Sequence, residues 1–272
     1  MMQELNTDMP RLLLIDGLNI VRRCYEANPA PDSANKAKDA ARSAFGSFKR
    51  ALRENTPTHA LAAFDYGGPT WRHALYARYR EGRKPMPEEL RAELPAFKAR
   101  LTDELGLAVA CVPNVEADDV IGTVFTRWMA CKAAPAVVVS TDKDLCTLIA
   151  QGALVRDHFK PEWRDAAWVQ AKFGVGPELL GDLLALMGDS VDDIPGVDGV
   201  GAKTAAKLLN EYGSLEALLA GASSIKGKLG ERLVEQAGNA RLSRQLVALD
   251  TAVEVGVTWN GLRYLAPEEA PA

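Results

Sequence analysis

Nine carboxylates fall in short, widely separated groups: Asp16, Asp65, Glu116, Asp118, Asp119, Asp142, Asp144, Asp189 and Asp192. Asp16, Asp65 and Asp142 each follow a short apolar run. Glu116, Asp118 and Asp119 open a helical segment, where negative charge is favoured by ~0.3–1 kcal/mol per group. Glu116 and Asp119 are spaced to share one helical face, and Asp118 reaches a second point. Asp142 and Asp144 can converge on one cation from a turn. Asp189, Asp192 and Asp193 follow a helix end, where the dipole disfavours carboxylates, so they need another cause, of which a bound cation is one. Two unit charges ~4 Å apart repel by roughly 4 kcal/mol at an effective dielectric of ~20. Nine acids in one site therefore require protons or divalent cations. Oxygen donors suit hard ions such as Mg²⁺ or Mn²⁺ rather than Zn²⁺, and His59, His73 and His158 lie beside none of the acids.

A second signal is cationic. Between Trp71 and Lys84 stand Arg72, Arg78, Arg80, Arg83 and Lys84 against the single acid Glu81, interleaved with Trp71, Tyr76 and Tyr79. Cations for phosphates and rings for bases suit a single strand of nucleic acid; a solvated helix face with packed rings is the alternative. A third is the glycine turn Gly196 to Thr204, with Gly199, Gly201 and Lys203, opening a helix. Such turns aim backbone N–H groups at an anion. No strand precedes it and Ala202 follows Gly201, which excludes a P-loop and leaves a helix–hairpin–helix on a nucleic-acid backbone.

The elements that must position these residues alternate. Apolar runs at 11–15, 60–64, 107–112 and 136–140 predict strands, with helices over 36–53, 88–105 and 116–132 between them. That order predicts a wound, mostly parallel α/β sheet, whose strand ends share one edge. After about 175 the strand signal fades, and 177–187, 202–211, 214–220 and 226–248 read as helices. The expected organisation is an α/β core over 1–175 with a basic arm at about 70–100, a helical region over 176–262, and a disordered tail over 263–272.

The chain has 272 residues, enough for one large or two modest domains. Its 47% hydrophobic and 25% charged content argues against disorder. No run approaches the ~20 apolar residues of a membrane span, and Met1 to Pro10 carries no hydrophobic stretch. Cys24, Cys111, Cys131 and Cys146 lack metal-ligand spacing and read as core hydrophobes in a reducing cytosol. The net charge of −4 is the wrong sign for a duplex binder. Setting the nine site acids aside leaves 27 acids against 32 bases, so the rest of the molecule suits a polyanion.

The motifs LLLIDGLNIVRR, AAFDYGG with WRHALYARYREGRKPMPEEL, VEADDVIGT, STDKDLCTLI and LMGDSVDDIPGVDGVGAKTAAKLL occur in that order. From about Arg11 to Val255 the chain resembles the bacterial 5′–3′ exonuclease and flap endonuclease family. The resemblance implies a PIN-like, resolvase-like nuclease core and a helix–three-turn–helix. It implies a two-metal site, with Asp16, Asp65, Glu116, Asp118 and Asp119 at the first ion, Asp142 and Asp144 close by, and Asp189 and Asp192 at the second. It places Arg23, Tyr79, Arg80 and Arg83 against DNA, to which the basic arm adds Arg72 and Lys84, and a K⁺ beside a phosphate at Gly196 to Thr204. Arg80 stands where the family usually has Lys, and Asp193 where it usually has Asn. Arg80, Arg83, Asp16, Asp119 and Asp142 would carry catalysis.

The expected function is hydrolysis of DNA at 5′ flaps or ends by a monomeric bacterial cytoplasmic nuclease. A PIN-type RNase and a catalytically silent junction-binding protein are the alternatives.

Overall fold

A computed structural model describes residues 9–160 and 162–266. Its first half runs β1 (Leu12–Asp16), α1 (Gly17–Ala27), α2 (Ala34–Asn55), β2 (His59–Ala63), α3 (Trp71–Leu75), α4 (Glu88–Leu105), β3 (Ala108–Ala110), α5 (Ala117–Lys132) and β4 (Ala136–Val139). A 3-10 helix (Asp144–Gln151), β5 (Leu154–Asp157), β6 (Glu162–Arg164) and α6 (Ala166–Phe173) follow. The second half is helical: α7 (Leu180–Met187), α8 (Ala202–Tyr212), α9 (Leu215–Gly221), α10 (Lys228–Glu235) and α11 (Ala237–Val247).

The sheet order is β3-β2-β1-β4-β5-β6. The first five strands are parallel, and β6 pairs antiparallel with β5. Every residue of β1 is buried, as a central strand covered on both faces requires. Leu12 and Leu14 point into a core shared with α5, α7, α8 and α11. Leu13 and Ile15 point into another formed with α1, α2 and α4, around Phe48, Phe64 and Phe97. The turn from β1 into α1 needs glycine: a Cβ on Gly17 would lie 2.4 Å from the Phe64 ring.

The four expected strands and the helices between them are present. No helix is expected before residue 36, whereas the chain runs straight from Asp16 into α1. Nor are β5 and β6 expected, which are short and sit at the sheet margin. The helix expected over 226–248 breaks at Gln236. The side chain of Gln236 turns to the glycine loop instead, where its amide donates to Asp198 Oδ2 at 3.0 Å and its carbonyl accepts the Asp198 N–H at 2.8 Å.

After α11 the chain leaves the helical half and returns to the core. Thr123 Oγ1 donates to the Asp250 carbonyl, and Arg127 to the Val253 carbonyl. Trp259 meets Trp128 edge-on at 5.4 Å. His59 bridges Arg263, and the Tyr264 N–H donates to the Thr58 carbonyl. The tail expected to be disordered from 263 is thus anchored through Tyr264, because the edge of β2 supplies it with backbone partners. Residues 267–272 lie outside the described residues. The four cysteines are free, but only Cys146 is buried and Cys131 is exposed, so they are not all core residues. Among the described residues no helix is long and apolar enough to cross a membrane.

Candidate active site and nucleic-acid interface

The parallel strands deliver their acids to one edge. Asp16, the last residue of β1, accepts the Asn19 N–H at 3.1 Å and so caps α1. Its other oxygen accepts the Ser140 hydroxyl at 2.9 Å. Asp65, after β2, accepts the Ala117 N–H at 2.8 Å and ties that strand end to the start of α5. Asp142, after β4, accepts the Asp144 N–H at 2.9 Å. Asp16, Asp65, Asp118 and Asp142 line one cavity of about 290 Å³, together with Arg22, Arg23, Arg80 and Arg83.

These carboxyls disturb one another. Burial, with the charges of Asp65 and Asp142, pushes Asp16 up to about 7. Burial and the charges of Asp142, Asp16 and Asp65 hold Asp118 well above the usual range. Burial raises Asp65 too. Asp144, beyond Asp142, reaches about 8 through burial and the Asp142 charge. One Asp144 oxygen is buried with no hydrogen-bond partner. An oxygen-lined cluster that resists ionisation fits a hard divalent cation, which would restore its full charge. Among the described residues no three Asp, Glu, His or Cys side chains already stand in ligand geometry; the acids frame an open cavity rather than a closed cage.

Glu116 sits behind this cavity. It accepts from Thr70 Oγ1 at 2.9 Å and Tyr79 Oη at 3.2 Å, and pairs with Arg80 at 2.9 Å. Its position orients Arg80 rather than leaving a free ligand. Tyr79 is buried, with its hydroxyl pushed up by burial and by Glu116, so it is no stacking platform for a base. Arg80 also reaches Asp192 at 3.2 Å, and Arg83 reaches the same carboxylate at 3.5 Å. Asp189 is paired with Lys143. Burial alone would raise Asp189; Lys143 and the Val191 N–H outweigh it and hold the carboxyl below its usual range. The two acids expected at a second ion are therefore held by three cations.

Two residues depart from expectation outright. Asp119 has no exposed surface and does not face the cavity. Arg72 grips it through two 2.8 Å hydrogen bonds, and Trp71 Nε1 and the Asp250 N–H complete its partners at 3.0 and 2.9 Å. A carboxylate with four donors is satisfied, so the structure gives Asp119 a packing role, away from the cavity where the sequence set it as a metal ligand and catalytic group. Arg72 is likewise no DNA contact. It is buried, and its remaining N–H groups donate to the carbonyls of Leu246 and Ala248. The pair rivets the arm and α5 to the returning C-terminal segment.

Arg23 faces the cavity with its guanidinium 4.9 Å from the Phe159 ring. Lys84 lines an adjoining cavity of about 330 Å³ under the arm, with Arg22, Arg83 and Arg91. Sequence reasoning missed Arg22, Asn19 and Thr141. Arg22 lies three residues after Asn19 on α1, a signal hidden until α1 is recognised.

The glycine turn joins α7 to α8. Gly188 and Gly196 both have positive φ and pack backbone to backbone; a Cβ on Gly196 would lie 2.5 Å from the Gly188 nitrogen. The Gly196 N–H donates to Ser243 on α11 at 2.9 Å. Gly199 also has positive φ, and Arg232 donates to the adjacent Asp198 carbonyl at 3.2 Å. Exposed Gly201 caps α8 without a side-chain partner, Lys203 is exposed beside it, and half-buried Thr204 follows in the first turn.

An acidic strand-end cavity, a basic arm and a helical glycine-turn half define a nuclease of the resolvase-like type. Residues 11–174 match the 5′-3′ exonuclease N-terminal resolvase-like domain, and 175–270 match the 5′-3′ exonuclease C-terminal SAM fold. The chain belongs to the 5′-3′ exonuclease family.

Among its relatives is a protein of Aeromonas salmonicida named Flap endonuclease Xni, 37% identical over 97% of this chain and all of that one. Another of that name, from Edwardsiella ictaluri, is 37% identical over 88% of this chain and 92% of its own. The fold resembles the bacteriophage T5 D15 flap endonuclease in complex with DNA and metal ions. That match has a TM-score of 0.74 and 20% identity, and it covers 89% of this chain and 90% of that one. Human GEN1 bound to Holliday junction DNA aligns with a TM-score of 0.56 at 14% identity, covering 96% of this chain and 65% of that one.

Proposed function

We propose that the chain is a divalent-metal-dependent, structure-specific 5′ nuclease acting on DNA with a 5′ flap or 5′ single-stranded end, as a monomer in the bacterial cytoplasm. The observation that carries this reading is one cavity lined by Asp16, Asp65, Asp118 and Asp142 and by four arginines. Carboxylates alone would repel a phosphodiester; arginines on the same wall supply the attraction. We place the chemistry in a core of residues 1–175 and the duplex grip in 176–262.

Asp16, Asp65, Asp118 and Asp142 would hold one Mg²⁺ or Mn²⁺, with Asp144 beside them. Asp189 and Asp192 would take part in a second site by exchanging Lys143, Arg80 and Arg83 for the ion. Such ions supply an activated water and counter-charge for the leaving oxygen. Arg80, fixed by Glu116, and Arg83 orient the phosphate and offset its charge. Arg22 and Arg23 lie where the strand would continue along α1. The Gly196 to Thr204 turn, with Lys203, holds the duplex backbone without reading sequence, and a K⁺ there would sit between backbone and phosphate.

The test is digestion of labelled 5′-flap DNA and the matched RNA in Mg²⁺, in Mn²⁺ and in EDTA, mapped to the nucleotide. Cleavage of the DNA flap that is lost in EDTA supports the proposal. Preference for RNA would favour a PIN-type RNase, and tight flap binding with no cut in Mn²⁺ a silent junction binder. Full activity in Asp142→Ala would refute the site.

A further inference from the structure

The arm carries its two phosphate-facing arginines on a short turn, residues 78–83, which has no hydrophobic anchor beyond Tyr79. Glu116 holds Tyr79 and Arg80 from the core side; the turn's remaining long-range contacts come from the opposite half of the molecule. The Gly82 N–H donates to Asp193 Oδ2 at 2.7 Å, and the Arg80 N–H donates to the Asp192 carbonyl at 3.0 Å. Arg80 and Asp193 are both in the left-handed region, at φ 57 and 55. Non-glycine residues rarely adopt that conformation, and one on each of two segments joined by hydrogen bonds marks a geometry the surrounding structure enforces. Space at Gly82 is equally tailored: a Cβ there would stand 3.3 Å from the Asp193 carboxylate.

Asp193 also lies on the loop that leads into the glycine turn. Its neighbour Ile194 pairs with Asp189 in both directions, at 2.8 and 2.9 Å, and Gly196 is bonded to Ser243 on α11. One loop thus joins the duplex-gripping turn to the arm. We propose that Asp193 is a positioning residue: its carboxylate docks the arm turn so that Arg80 and Arg83 face the acidic cavity, coupling the grip on duplex to the placement of the cleaving arm. Only a hydrogen-bond acceptor is required, so Asn serves as well as Asp, while Ala does not. The inference rests on the nuclease reading for its kinetic consequence but not for its structural one.

The experiment pairs Asp193→Ala with Asp193→Asn in the full chain. Limited trypsin digestion reads exposure of the arm at the Arg78–Tyr79 and Arg83–Lys84 bonds, and needs no nuclease activity. Flap cleavage gives kcat and KM separately. Loss of this hydrogen bond predicts an about tenfold faster arm cut in Asp193→Ala, an about tenfold lower kcat, and KM within about twofold of the parent. Asp193→Asn restores both. The proposal is overturned if Asp193→Ala resists trypsin like the parent, if its arm loosens while kcat stays unchanged, or if Asp193→Asn is as impaired as the alanine variant. A parent chain that cuts no flap, with the trypsin pattern as expected, would sink the nuclease reading and leave the docking contact standing.

Discussion

Asp118 and Asp119 are neighbours on one helix and have opposite fates. On the cavity side, Asp118 faces Asp16, Asp65 and Asp142, and the cluster pushes its carboxyl up. On the far side, Asp119 is saturated by Arg72, Trp71 and the Asp250 N–H. The first region is electrostatically incomplete and therefore able to bind; the second is complete and therefore able only to hold. The difference between a site and a strut lies in whether the partners are supplied by the protein.

Breaking the incomplete side costs activity first. Asp118→Ala is expected to lower kcat on flap DNA by on the order of 10³-fold, the equivalent of several kcal/mol of lost charge stabilisation. Because it also relieves repulsion, its melting temperature without metal should match or exceed the parent's. A comparable kcat, measured by single-turnover cleavage, would remove Asp118 from the site.

Breaking the complete side costs stability. Arg72→Ala leaves Asp119 buried without its counter-ion and should destabilise the fold by about 3–5 kcal/mol, read from denaturant unfolding. A loss near zero would contradict the rivet.

The incomplete side also responds to pH. Asp16 at about 7 and Asp144 at about 8 lie above the ordinary carboxyl value of 3.8. The folded state therefore holds protons that the unfolded chain has released, and stability falls as pH rises through the window from about 4 to 8. Melting temperature in EDTA should drop across that range, and saturating Mg²⁺ should flatten the slope. A flat profile in EDTA would mean that the carboxyls are not crowded.

The smallest effect falls on the cavity side, at Ser140. Ser140→Ala removes one hydroxyl from Asp16 and should cost about 1 kcal/mol of stability, with a modest fall in kcat.

Much of this is legible in the sequence. Short apolar runs ending in Asp16, Asp65 and Asp142 located three strands and, through the shared edge of a parallel sheet, three walls of the cavity. The (i, i+3) spacing correctly put Glu116 and Asp119 on one face: Arg72 reaches both, at 3.4 and 2.8 Å. What spacing could not give was the partner, because Arg72 lies 47 residues away and its own role depends on the carbonyls of Leu246 and Ala248. For the same reason a run of arginines reads as one basic arm, although Arg72 points inward and Arg78 outward. Strands β5 and β6 were missed because Arg156, Trp163 and Arg164 break the apolar pattern; cation–ring packing of Arg156 over Trp163 at 5.1 Å substitutes for it.

The C-terminal segment that leaves α11, crosses α5 and ends against β2 has a mechanical meaning. It laces the helical half to α5 at Asp250, Val253 and Trp259 and to the start of β2 at Tyr264, so neither half can slide over the other without tearing that seam. In the proposed function such a frame is a ruler: duplex clamped at the glycine turn meets the carboxylates at a set offset, and the place of the cut is counted by the protein rather than spelled by the DNA.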